Sequence, residues 1–173
     1  MSTLPYLRGY PPAIIESARR MVDAGKLGAY LAERYPDQHA VQTDKALYHY
    51  VCDLKHTHLR SAPAIDKVVY DSKLQVIQHA LGLHTAISRV QGNKLKAKKE
   101  IRVAALFKAA APEFLQMIVV HELAHLKSRD HDKAFYQLCC HMLPNYLQLE
   151  LDLRLYLTYL ATHPHKETPH AIP

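Results

Sequence analysis

No run of apolar residues in this sequence approaches the roughly 18 needed to cross a membrane, so no spanning helix is expected. Cysteine is scarce and odd in number, 3 in all, with Cys139 and Cys140 adjacent. That is no disulfide framework, and a reducing cytosol suits it best. Cys139 and Cys140 read as small buried apolar residues rather than a redox pair. The start, MSTLPYLRGYPPAII, has prolines where a secretory signal has its apolar stretch. The expected location is therefore cytoplasmic. Glycine is sparse, with 5 residues, and GNKLKAKK lacks both the spacing and the small hydroxyl residue of a phosphate-binding loop. Internal repeats and long linkers are also missing.

What is present suits a single domain. The chain has 173 residues, 49% hydrophobic and 22% charged, enough to bury one core and too few for two. One domain is expected over residues 1–162, with HPHKETPHAIP, residues 163–173, a disordered tail. The formal charge of +6 predicts affinity for anions, nucleic acid among them. Charge by itself does not choose between these.

The periodicity predicts a mostly helical chain with a small sheet. AIIESARRMVDAGKLGAYLAERY has helical spacing, with Ile15, Ala18, Met21 and Val22 on one face. A second helix is expected over about His39–Leu59, closed by Pro63, and DKVVYDS is a strand candidate. In 84–108 the Gly92-Asn93 pair separates two strand-like runs, which predicts a β-hairpin. On its second strand Ile101, Val103, Ala105 and Phe107 would face the core. Lys94, Lys96, Lys98 and Arg102 fall on one side of that extended chain. They read as a solvated edge-protecting face or as a nucleic-acid contact. Pro112 and Glu113 suit the first turn of a helix, whose positive end favours an acid. That helix is apolar nearly all round and should be buried. Another is expected from Asp130 or His131 to Pro144. LQLELDLRLYLTYL alternates like a strand but is leucine-rich like a helix, and both readings stay open.

The chemistry lies in 118-IVVHELAHLKSRDHDKAFY-136. Polar residues set directly after an apolar run cost several kcal/mol, order of magnitude, unless something satisfies them. On a helix His121 and His125 lie one turn apart on one face and can share one metal ion. Glu122, about 100° round the helix, can reach the same cavity without ligating. This is the H-E-x-x-H arrangement of two ligands and a general base. The alternative is a pair of hydrogen-bonded core histidines beside a salt-bridged glutamate. A catalytic zinc takes three protein ligands and keeps its fourth position for water. His131 leads as the third ligand, since HELAHLKSRDH has the spacing of H-E-x-x-H-x-x-G-x-x-H. Ser128 stands at that glycine's place, so the turn must be made differently. Glu150, on the following element, is the rival third ligand. Asp132 can cap the next helix.

TDKALYHY, LGLHTAISRVQGNKLKAKKEIRVA, MIVVHELAHLK and HDKAFYQLCCHM together resemble the YgjP-like metallopeptidases, relatives of the WLM and SprT-type zinc proteases. The likeness runs over nearly the whole chain. It implies an α+β zincin-like domain: a small antiparallel sheet, a buried HExxH helix and flanking helices. It also implies zinc held by His121, His125 and His131, with Glu122 catalytic. The expected activity is zinc-dependent peptide-bond hydrolysis, with a peptide or protein as substrate. Two other functions stand beside it. One is a nucleic-acid-associated protease of DNA-bound proteins; the other is a zinc-stabilised binding domain without catalysis. Four filled ligand positions would mark the latter, and no fourth ligand is visible near the motif.

The remaining features read as background. Tyr136 and Tyr146 are candidate oxyanion donors by proximity, though packing explains them better. His56 and His58 in KHTH, His163 and His165 in HPH, and His141 read as surface histidines. Phe135, Leu138 and Met142 share a helical face and read as core, Met142 having a second reading as the floor of a zinc site.

Overall fold

The computed structural model describes residues 4–74 and 99–164. Among the described residues six α-helices and two short strands surround one core. The helices are α1 (Pro12–Asp23), α2 (Leu27–Arg34), α3 (Asp44–His58), α4 (Pro112–Ala124), α5 (Lys133–Met142) and α6 (Tyr146–Thr162). The strands are β1 (Lys67–Asp71) and β2 (Glu100–Ala104).

The expected first helix is two. Gly25 has φ +64°, a left-handed conformation glycine adopts without steric cost. The Lys26 amide donates to the Met21 carbonyl at 2.9 Å and the Gly25 amide to Val22 at 3.0 Å, the bonding of a Schellman stop. The chain then re-enters as α2. Close packing sets the second glycine: a Cβ on Gly28 would stand 2.7 Å from Cε2 of Tyr159. α3 starts later than expected, because the Thr43 hydroxyl accepts from the Ala46 amide at 3.1 Å and caps it there.

The two strands run parallel, with Lys67 opposite Glu100 and Asp71 opposite Ala104. This corrects the antiparallel sheet expected above. Parallel pairing needs a crossover of a dozen or more residues, which residues 72–99 are long enough to supply. The proposed turn at Gly92-Asn93 and the hairpin's first strand lie outside the described residues, as does the tail from 165. The second strand also ends early: Ala105–Lys108 form a 3-10 turn instead of continuing to Phe107. Side chains from the approach to α3 satisfy that turn's carbonyls. Nε2 of His39 donates to Phe107 at 2.8 Å and Nε2 of Gln42 donates to Lys108 at 2.8 Å. Phe107 reaches the core all the same.

The core sits between α4 and α6, with α2, α3, α5 and β2 packed around them. α4 is apolar on every side and buried on nearly every side. LQLELDLRLYLTYL is helix. Its alternating leucines spread round α6, and Leu149, Leu153, Leu155 and Leu157 are all buried while Leu147 is 58% exposed. α6 also buries Asp152 completely. Its carboxylate accepts from the hydroxyls of Tyr35 at 2.5 Å and Tyr30 at 3.3 Å and from Gln148 at 3.1 Å, with Arg34 3.1 Å away. α2 is thereby fastened to α6. Among the described residues no helix is long and apolar enough to cross a membrane, and the three cysteines are free.

Candidate metal centre

His121 and His125 arise at the C-terminal end of α4, where its apolar sequence has carried them into the interior. His125 is the C-cap residue. The chain then turns back through amide bonds from Leu126 to Leu123 and from Lys127 and Ser128 to Ala124, each 3.0 Å. Those hydrogen bonds make the turn differently, with Ser128 in the glycine's place, as expected. The Asp132 carboxylate caps α5 by accepting from the Phe135 amide at 2.9 Å, and His131 stands just before it.

The three histidines meet at one point. Nε2 of His121 is 3.3 Å from Nε2 of His125 and 3.1 Å from Nε2 of His131, and the last two are 3.1 Å apart. No other group of metal-binding residue types converges like this among the described residues. Burial decreases from His121 to His125 to His131 and lowers the pKa of all three imidazoles. Neutral imidazole is the ligating form.

The donor set fits a metal ion. Nδ1 of His125 donates to the Ser128 carbonyl at 3.0 Å, so its Nε2 carries a lone pair. Three Nε2 atoms this close can all turn lone pairs to a single cation placed between them. Tetrahedral zinc, ~2.0–2.1 Å from each nitrogen, would hold them ~3.3 Å apart, close to the spacings found. Second contacts of this kind orient metal-binding histidines. Glu150, the rival third ligand, is engaged elsewhere: its Oε1 is 3.0 Å from Nη2 of Arg154. It does not join the histidine group.

Glu122 is half-buried, and burial pushes its carboxyl up to about 8. Such a group exchanges protons near neutral pH. The tyrosines considered as oxyanion donors lie elsewhere. The Tyr146 hydroxyl is on Nδ1 of His121 at 2.8 Å, the far nitrogen from the centre. Tyr136 packs beside Tyr146, ring centroids 6.4 Å apart.

Sequence reasoning missed the floor. The buried Phe135 ring lies 5.0 Å from His121, 4.6 Å from His125 and 4.8 Å from His131, centroid to centroid. Helical spacing marked it only as core, and nothing in one sequence distinguishes a core ring from one beneath three histidines. Met142 is buried core. His56, His58 and His141 lie outside the histidine group, and His163 stacks on Tyr159 with centroids 4.5 Å apart. Of the expected basic face only Arg102 is described, and it pairs with Asp71 at 2.9 Å and Glu100 at 3.2 Å. Lys94, Lys96 and Lys98 lie outside the described residues.

Residues 37–156 match the family described as YgjP-like, metallopeptidase domain. A curated protein of Escherichia coli (strain K12), UTP pyrophosphatase, is 60% identical over 161 residues. The alignment covers 93% of this chain and 96% of that protein. No solved structure matches.

Proposed function

The chain belongs to the YgjP-like metallopeptidase-domain family, and from that premise we propose that it is a zinc-dependent hydrolase of UTP or a closely related nucleoside triphosphate. The observation that carries this is the identity of 60% over nearly the whole length to a protein named UTP pyrophosphatase. The net charge of +6 suits a polyanionic substrate. The free cysteines accord with a cytoplasmic location, where nucleotides are plentiful.

His121, His125 and His131 would hold the ion. When bound, zinc lowers the pKa of a water molecule from about 16 to near 7 and offsets charge building up on the phosphate oxygens. Glu122, one residue along α4 from His121, accepts the proton that the attacking water loses. Burial raises its carboxyl to about 8 in the metal-free protein, and a bound cation beside it would draw it back toward the ionised form a base needs. Water adds to the α-phosphorus and the α–β anhydride bond breaks. The products are a nucleoside monophosphate and pyrophosphate, and the proton on Glu122 leaves to pyrophosphate or solvent. Phe135 closes the inner side of the centre, so substrate approaches from the side where His131 is most exposed.

Peptide hydrolysis is the second reading, favoured by the HELAH arrangement on a buried helix and by the family's description. Glu122 would then pass the water's proton to the leaving amine as the C–N bond breaks. Imidazole donors also accept copper, iron and nickel, so the experiment begins with the purified metal content. It then measures pyrophosphate release from UTP and cleavage of a mixed peptide library, for wild type and Glu122→Gln. Zinc-dependent UTP hydrolysis that Glu122→Gln removes is the expected result. Peptide cleavage without nucleotide hydrolysis would overturn the first reading in favour of the second.

A further inference from the structure

The His121 imidazole has a neighbour whose role is ambiguous until the other face of the ring is considered. Nδ1 of His125 faces a carbonyl, which only accepts. Nδ1 of His121 faces the Tyr146 hydroxyl at 2.8 Å, which can donate or accept. We propose that Tyr146 is a positioning residue of the metal centre. It accepts from Nδ1–H of His121, fixing the tautomer whose Nε2 lone pair faces His125 and His131. The proposal rests on the three histidines being a metal centre and goes beyond it, since no ligand spacing requires a residue at 146.

Two elements supply this bond: His121 is on α4 and Tyr146 opens α6. Both residues are buried, with His121 at 2% exposure, and no bulk water replaces a missing bond. The direction follows from the other side of the ring, where Nε2 of His121 stands 3.3 Å from Nε2 of His125 and 3.1 Å from Nε2 of His131. If the hydroxyl donated to Nδ1, the imidazole proton would move to Nε2, pointing at the other two histidines and blocking ligation.

The test reads the tautomer directly. Two-bond proton–nitrogen correlation spectra of histidine-labelled, metal-free protein distinguish Nδ1–H from Nε2–H. The expected wild-type state of His121 is Nδ1–H. Tyr146→Phe should shift it toward Nε2–H, the form free neutral imidazole favours. The zinc dissociation constant, measured by competition with a chromophoric chelator, should rise about 10- to 100-fold. The wild-type spectrum carries the test if Tyr146→Phe does not fold. A wild-type Nε2–H state, or an unchanged tautomer in folded Tyr146→Phe, overturns the proposal even where the melting temperature falls. Failure of wild type to bind zinc would instead overturn the metal-centre reading, which the tautomer spectra do not depend on.

Discussion

Glu122 and His131 each carry a separable claim at the scale of single residues. Glu122→Gln keeps the size of the side chain and removes the proton acceptor. Zinc should stay bound while hydrolysis falls by at least ~10²-fold, the lower end of what a general base contributes. Loss of zinc in this variant, measured by elemental analysis, would make Glu122 a ligand instead. For the third ligand, His131→Ala should lose most of the bound zinc. Glu150→Ala should retain it, because that carboxylate is held by Arg154. The opposite pattern of zinc contents would reverse the assignment. The motif showed which residues could ligate. The reason Glu150 is not in the group, an ion pair to the residue one turn along α6, was not readable from spacing.

At the scale of elements, α6 shows how packing overrides pattern. Alternating leucines suit a half-buried strand, but an element enclosed by α4, α2 and α5 can bury leucines on every side as a helix. The buried Asp152 then ties α2 to it. Asp152→Ala should remove the acceptor for Tyr35 and Tyr30 and cost about 2–4 kcal/mol, seen as a lower denaturation midpoint. Arg34, 48% exposed on its side chain, can turn to solvent and keeps the loss from being larger. Gly28 meets α6 at another point. Alanine would add up to ~1 kcal/mol of helix propensity, but its Cβ would stand 2.7 Å from Tyr159. That ring is buried and stacked on His163, so it has little room to swing away. Overpacking of this kind costs about 1–3 kcal/mol, and Gly28→Ala should lower the melting temperature. A rise would show that the ring yields freely.

At the scale of the whole molecule, the centre joins the end of α4 to the start of α5, so metal occupancy should stabilise the entire fold. Chelation is expected to lower the melting temperature. The metal-free protein should also lose stability as pH rises from 6.5 to 8. In that window folded Glu122 keeps a proton, since burial moves its carboxyl from near 4.5 up to about 8. The unfolded chain has already released that proton, so raising the pH favours unfolding. The histidines act in the other direction and elsewhere. Their lowered pKa values mean that the unfolded chain takes up protons they refuse as pH falls below 6.5. Glu122→Gln should flatten the slope between 6.5 and 8 in thermal melts. An unchanged slope would mean that the carboxyl is ionised in the fold.

By itself the sequence determined what short range controls. Pro112 and Asp132 start helices through their own backbone and carboxylate chemistry. HELAH places two imidazoles one turn apart, and an apolar α4 has to be buried. Tertiary structure decided what depends on residues distant in the chain. The strands pair parallel, as register and direction follow from how a long connection returns. The second strand stops at Ala104, where its partner ends at Asp71, and His39 and Gln42 meet the Phe107 and Lys108 carbonyls of the turn beyond it. α6 is a helix because neighbours surround it. Phe135 lies under three histidines, and Tyr146 reaches Nδ1 of His121, only because α4, α5 and α6 pack together there. Periodicity records which side of an element is apolar; it carries no record of what that side will touch.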